Sequence, residues 1–74
     1  MWKINKAGNA HDSTGRAIVI KNRGQLLCDV WYEEPTDEGI KSTLIKTCIP
    51  RDEAELVVAH YVHLLNQEAK IDDA

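Results

Sequence analysis

The residue types of nucleophilic catalysis occur together in one run, His11-Asp12-Ser13-Thr14-Gly15. A serine triad assembles its nucleophile, base and acid from separate elements beside an oxyanion hole. Adjacent residues rich in turn formers instead predict a polar turn. The run also differs from the Asp-Thr-Gly and Asp-Ser-Gly sequences of aspartic proteases, and no phosphate-binding loop, dinucleotide fingerprint or H-E-x-x-H sequence occurs. We therefore expect no catalytic residue, no cofactor and a protein that is not an enzyme.

Two histidines, His60 and His63, lie three residues apart and share one stripe of a predicted helix with Leu56 and Gln67. The stripe has no carboxylate or thiolate that could complete a zinc site, so we expect no metal. Solvated histidines are the simplest interpretation. The alternative is a contact surface around Leu56, whose association would depend on pH because histidine titrates near pH ~6.5.

The two cysteines, Cys28 and Cys48, do not have the spacing of zinc ligands. Both fall in strand-like runs, which predicts two reduced and buried small side chains. A disulfide between neighbouring strands under oxidising conditions remains the alternative.

Length and composition indicate one small folded domain. The chain has 74 residues, of which 43% are hydrophobic and 28% charged, a balance typical of folded proteins. No apolar run reaches the ~18 residues of a membrane span, and the N-terminus lacks a signal-peptide core. We therefore expect a cytoplasmic protein without membrane contact. Domains of this size gain stability from dimerisation, which makes a homodimer our expectation.

The net charge of −3 is unevenly distributed. Residues 1–32 contain five basic and two acidic residues, whereas residues 33–74 contain four basic and ten acidic ones. Such a field can steer a partner or orient an oligomer. Ordinary solubilising charge is the alternative.

The predicted order of elements is strands followed by one helix. Segment 1–15 reads as a short strand and a polar loop, and segment 16–49 as a β-meander. The meander contains a hairpin with a three-residue connection ending in a left-handed Gly24, and a break from Glu34 to Gly39. Together these predict an α+β fold, with three or four antiparallel strands and a C-terminal helix on one face.

The helix is predicted over 51–70, with a frayed tail at 71–74. Asp52 is the expected N-cap, and Glu55 has the capping-box spacing. An apolar arc is expected to face the sheet. Its members are Ala54, Val57, Val58, Tyr61, Val62, Leu65 and Ala69.

A single helix leaves the other sheet face open, and that face is the expected binding surface. Strand alternation places Leu27 and Trp31 opposite the set Leu26, Cys28, Val30 and Tyr32. Trp anchors many protein interfaces. The predicted partner-binding residues are Leu27, Trp31, Glu33, Glu34, Asp37 and Glu38. Alternatively, the N-terminal segment covers this face and Trp2 packs against Trp31.

Nucleic-acid or nucleotide binding is the competing functional class. Arg16, Lys21 and Arg23 lie on or beside the first hairpin, and Trp31, Tyr32 and Trp2 could stack on bases. The acidic balance of the chain and the absence of a basic helical stripe disfavour this class. A ligand-sequestering oligomer with a pocket between subunits is a further possibility.

The hairpin Ile18-Val19-Ile20-Lys21-Asn22-Arg23-Gly24-Gln25-Leu26-Leu27-Cys28 and the helix start Asp52-Glu53-Ala54-Glu55-Leu56-Val57-Val58-Ala59 resemble small accessory proteins of bacteriophages and prophages. The helix differs in lacking an Ala-rich run with an internal Pro, and no functional residue can be transferred. The resemblance implies an anti-defence role, in which the protein occupies a host protein or sequesters a signalling nucleotide without turnover.

Overall fold

The computed structural model describes the backbone of residues 1–72 and the side chains of residues 1–68. Five antiparallel strands form one sheet in chain order, and one helix follows them. The strands are β1 (Lys3–Ile4), β2 (Ala10–His11), β3 (Ala17–Asn22), β4 (Leu27–Thr36) and β5 (Gly39–Pro50), and the helix α1 spans Arg51–Asp72. The predicted α+β class is confirmed, but the sheet has five strands rather than three or four.

The additional strand is β2, which lies inside the segment predicted to be a polar loop. Two tight turns flank β2, and their polar residues make the whole segment resemble a loop in the sequence. The Asn5 side chain accepts hydrogen bonds from the amides of Ala7 and Asn9 at 3.0 and 3.1 Å, which closes the turn between β1 and β2. Ala10 is left to pair with Ile18 of β3 and is buried. A two-residue strand has no detectable period, so only its neighbours make it a strand.

The hairpin between β3 and β4 forms as predicted, but its turn is different. The connection runs over residues 23–26, where the amide of Arg23 donates to the Leu27 carbonyl at 2.9 Å. Gly24 is not among the glycines with positive φ, so the predicted left-handed position is wrong. Leu26 was expected on the buried face, yet it lies in the turn and is 82% exposed.

The predicted break from Glu34 to Gly39 is mostly strand. β4 continues to Thr36, and only Asp37 and Glu38 form the turn before β5. Pro35 is tolerated because it lies beyond the pair Ala17↔Glu33, where the ladder to β3 ends. The long β4–β5 hairpin therefore extends past the other strands.

Two irregularities interrupt the β4–β5 ladder, between Cys28 and Val30 and between Val30 and Trp31. At the first, Asp29 faces an additional residue of β5, and Cys48 there has φ 57°. Such a left-handed position is common for glycine in bulges and rare for other residues. The bulge turns Cys48 to the surface, so the prediction that both cysteines are buried is wrong. Both thiols are free, and only Cys28 is buried.

α1 covers one face of the sheet with a narrow apolar stripe. Ala54, Val58 and Val62 are buried, and Val57 and Leu65 are partly buried, as predicted. Tyr61 is exposed instead, because it lies on the flank of the helix that overhangs β5. The helix begins at Arg51, so Asp52 lies in its first turn rather than at the cap, and it includes residues 71–72 of the predicted tail. The Ala69 side chain and residues 73–74 lie outside the described part.

The core lies between this stripe and one face of the sheet. Its buried members are Trp2, Ala10, Ile18, Cys28, Val30, Ile49, Ala54, Val58 and Val62. Trp2 is held at the far end of the helix, where its amide donates to the Asn66 side chain at 2.9 Å. Near the start of the helix, the Arg51 guanidinium donates to the Ala7 carbonyl. The β1–β2 hairpin is thereby fastened to both ends of the core. Within the described residues, no helix has the length and apolar character needed to cross a membrane.

Candidate protein-docking face

The sheet face opposite α1 carries a row of apolar side chains, and none of the described elements covers it. In the register of the sheet, Val19 of β3 lies opposite Trp31 of β4, and Trp31 lies opposite Leu44 of β5. Directly opposed residues of antiparallel strands point to the same side. We call this uncovered side of the sheet the open face. Val19 and Trp31 are half-buried within it, and Leu44 is 45% exposed.

Two groups of polar side chains flank this row. On one side, the Lys21 ammonium lies 3.4 Å from the Glu33 carboxylate and 5.6 Å from the centroid of the Trp31 ring. Ser42 also donates to Glu33, at 3.1 Å. The Trp31 ring is thus fixed by a cation above it, and the cation is fixed by a carboxylate. The arrangement orients the indole without removing it from solvent.

The second group surrounds Asp29, which lies at the bulge. Its carboxylate accepts a hydrogen bond from Thr47 at 2.7 Å and from the Cys48 amide at 3.1 Å, and Arg23 lies 3.7 Å away. The hydrogen bond from Thr47, the amide of Cys48 and the Arg23 charge together lower the pKa of Asp29 below its usual range. The Arg23 guanidinium also donates to the Cys48 thiol at 3.5 Å. The bulge is therefore held by a charged cluster rather than by packing.

Only part of the predicted partner-binding set lies on the open face. Leu27, Trp31 and Glu33 share it by strand alternation, and Leu27 is 41% exposed. Glu34 points to the helix side, where it pairs in register with Lys41. Asp37 and Glu38 form the exposed turn at the tip of the β4–β5 hairpin. The four predicted acidic residues are therefore divided between a strand and a tight turn, because β4 does not end at Pro35.

The structure also decides the alternative in which Trp2 packs on Trp31. Trp2 lies on the helix side, its ring centroid 6.3 Å from that of Tyr32 and 5.4 Å below the Arg16 guanidinium. The N-terminal segment therefore leaves the open face uncovered. Sequence inspection missed Val19 and Leu44 as members of this face, since their proximity to Trp31 depends on the strand register.

The three cations of the nucleic-acid hypothesis do not form a patch. Lys21 and Arg23 face Glu33 and Asp29 on the open face, whereas Arg16 lies on the helix side, 2.6 Å from Asp12. Tyr32 is likewise on the helix side, among residues that pack on the core. Of the three aromatic side chains predicted to stack on bases, Trp31 therefore lies on the open face, whereas Tyr32 and Trp2 lie on the helix side.

Within the run from His11 to Gly15, His11 ends β2 and residues 12–15 form the predicted turn. The Asp12 carboxylate accepts hydrogen bonds from the amides of Thr14 and Arg16, each at 3.0 Å, and from the Thr14 hydroxyl at 2.8 Å. Burial raises the pKa of Asp12, but the hydrogen bonds from Thr14 and Arg16 outweigh it, so the pKa lies below its usual range. Both oxygens of this carboxylate accept hydrogen bonds from residues of the turn, Thr14 and Arg16.

The histidine stripe contributes a second, shallower feature. Leu56 and His60 line a groove of about 360 Å³ between α1 and β5, together with Ile45, Val57 and Tyr61. His63 is exposed and is not among the residues that line this groove. No cluster of three or more metal-ligating side chains occurs among the described residues. Charged Lys46 and Glu53 also line the groove, so it is apolar only in part.

Comparison of the chain with protein-family models, with curated proteins and with solved structures found no match. The open face therefore has to be interpreted from its own residues.

Proposed function

We propose that this chain is a small non-enzymatic interaction protein, which binds a partner protein through the open face. The observation that supports the proposal is the uncovered row Val19, Trp31 and Leu44, flanked by fixed charges. A central aromatic anchor with a polar rim is the usual composition of a protein interface. The resemblance to phage accessory proteins extends the proposal to a host protein, such as a defence component, in the host cytoplasm.

The chemistry of the face indicates the kind of partner. The apolar row continues toward the hairpin tip, where Glu33, Asp37 and Glu38 make one end acidic. A partner surface with an apolar ridge beside basic residues complements both properties. We therefore propose a protein partner with that pair of features.

Substitution of Trp31 by Ala tests the proposal. The indole is the largest side chain of the row and lies at its centre, so affinity for the partner should fall by about 30-fold or more. Partner candidates are proteins from the source cells that co-purify with the wild-type chain, and isothermal titration with the purified partner measures the affinity. The matched control is Leu26→Ala, which removes an exposed apolar side chain from a turn outside the face. Equal affinities of wild type and Trp31→Ala, with unchanged circular dichroism, would contradict the proposal.

Nucleic-acid binding is the opposing outcome of the same experiment. It would appear as retention on an immobilised oligonucleotide that falls steeply between about 50 and about 200 mM salt. The pairing of Lys21 and Arg23 with carboxylates disfavours that outcome, because each phosphate contact would first have to displace an ion pair. Native mass spectrometry with a retained small molecule would instead support the ligand-sequestering oligomer.

A further inference from the structure

The outer edge of β5 is a long unpaired strand edge. β5 spans 12 residues, and among the described residues its only neighbour in the sheet is β4. Proteins usually shield such edges with bulges, charges or a covering element. Here both ladder irregularities fall in the second half of β5, so the stretch from Gly39 to Leu44 pairs regularly with β4. This stretch presents free backbone donors and acceptors in a regular array.

The side chains of this stretch are complementary to themselves in one register. In an antiparallel pair of identical strands with a twofold axis at Ser42, the two Ser42 residues lie opposite each other. A residue a given number of positions before Ser42 then lies opposite the residue the same number of positions after it in the second copy. Ile40 then lies opposite Leu44 of the second copy, and Leu44 opposite Ile40. Both side chains are on the open face, and Ile40 is 72% exposed in the single chain. The pairing buries two apolar contacts that the monomer leaves in water.

The same register also matches charges. Past the irregularity at Ile45, Lys46 pairs with Val30 and so lies toward the helix side of β5. The Ser42 register brings Lys46 of one copy near the Asp37–Glu38 turn of the other, and the symmetry forms this ion pair twice. Among the described side chains, Lys46, Asp37 and Glu38 belong to no salt bridge. An axis at Lys41 would instead oppose two lysines and set Ile40 against Ser42, and an axis at Thr43 would set Leu44 against Ser42. Apolar and ionic complementarity therefore select the Ser42 register over its neighbours.

We propose that β5 pairs antiparallel with β5 of a second copy about an axis at Ser42, which joins two five-stranded sheets into one. We assign the edge to a second copy of this chain, because a single register pairs both its apolar side chains and its opposite charges. The shared sheet also extends the apolar row of each copy, since Ile40 of one chain continues the line from Trp31 and Leu44 of the other. The inference uses the strand edge, so it does not depend on the proposed partner protein.

The register is tested by a crosslink. In a Cys48→Ser background, Ser42→Cys places two thiols opposite each other across the axis, within the Cα separation that a disulfide allows. We expect this variant to form a covalent dimer under mild oxidation. The matched control is Ser13→Cys, at another exposed serine, in the turn between β2 and β3. Equal crosslinking of the two variants, or none at position 42, would overturn the register.

The interface is tested by oligomeric state. Sedimentation equilibrium of the wild-type chain from about 5 to about 500 µM should show a monomer–dimer equilibrium. Ile40→Glu buries a charge at the interface and should weaken dimerisation about 100-fold, whereas Leu26→Glu, at an equally exposed position, should leave it unchanged. A strictly monomeric wild type, or equal effects of the two variants, would overturn the proposal. Trp31→Ala should still dimerise, which separates this test from that of the proposed function.

Two further measurements distinguish edge pairing from other dimers. Lys46→Glu should weaken the dimer, and adding Glu38→Lys should restore it, because the ion pair is reversed rather than removed. Amide exchange should show that β5 amides pointing away from β4 become protected as the concentration rises. Protection confined to α1 would assign the dimer to the helix instead and overturn the edge model.

Discussion

The two faces of the sheet are made by adjacent residues of the same strands, and they are stabilised by different physics. On the covered face, Ile18 and Val30 are completely buried, and together with the equally buried Val58 of α1 they make the centre of a small apolar core. On the open face, Trp31 is oriented by Lys21, and the bulge is held by Asp29. Apolar burial stabilises the first face, whereas ion pairs and hydrogen bonds in contact with water organise the second. The first can therefore carry the stability of the domain while the second stays available for binding.

The largest expected contrast comes from two neighbouring residues. Ile18→Ala should lower the free energy of unfolding by about 2–5 kcal/mol, because it leaves a cavity in the core, whereas Val19→Ala should cost less than about 1 kcal/mol. Urea denaturation of both variants measures the difference. Similar losses for the two variants would show that the open face is packed as tightly as the covered one.

A second prediction concerns the turn that supports the covered face. The Asp12 side chain is 4% exposed and anchors Arg16, which lies over Trp2. Asp12→Ala should lower the free energy of unfolding at about pH 7 by about 2 kcal/mol, because charged hydrogen bonds to two amides and a guanidinium are lost. Glu34→Ala, which removes a half-buried carboxylate outside this turn, is the matched control.

The same carboxylate predicts the direction of the pH dependence. Since folding lowers the pKa of Asp12 below 3.8, its stabilisation is present above that pH and is lost as the pH falls through the lower, folded value. Wild type should therefore lose stability in acid more steeply than Asp12→Asn. Urea midpoints at about pH 7, about pH 4 and about pH 2.5 measure this slope. Parallel pH profiles would contradict the assigned role of Asp12.

A smaller effect of opposite sign is expected at the bulge of the open face. The left-handed backbone of Cys48 costs a non-glycine residue about 1–2 kcal/mol. Glycine avoids this cost, but it loses more conformational entropy on folding, which offsets part of the gain. Cys48→Gly should therefore raise the free energy of unfolding by about 0.5–1 kcal/mol. Cys48→Ala keeps the Cβ and should give no gain. A gain with Ala as well would assign the effect to the thiol rather than to the backbone.

The smallest effect is expected for the ion pair above Trp31. Lys21→Gln should change the free energy of unfolding by less than about 0.5 kcal/mol, because an exposed pair is screened by water and salt. Urea denaturation at low and high salt measures the change, with Lys6→Gln as the control at an exposed lysine outside the face. A loss above about 1 kcal/mol would mean that the open face contributes to stability more than its exposure suggests.

Long patterns were predictable from the sequence, and the candidate face only in part. The β-branched run of β3 and the helical spacing of Ala54, Val58 and Val62 identify their elements, because each repeats the period of its secondary structure several times. Leu27 and Trp31 were placed on one face by alternation alone, whereas Glu33 was predicted in a loop with the other acidic residues. Val19 and Leu44 were missed because their position beside Trp31 requires the register between strands.

The sequence by itself determined the class of the fold, the one-sided helix and the absence of recognisable catalytic motifs, since these depend on local periodicity and composition. Only the tertiary structure decided the fifth strand, the extension of β4 through Pro35, the exposure of Cys48 and the position of Trp2. Each of these depends on contacts between residues distant in the chain: β2 on β3, Cys48 on Asp29, and Trp2 on Asn66. Local propensity is weak at such positions, and long-range hydrogen bonds and burial outweigh it.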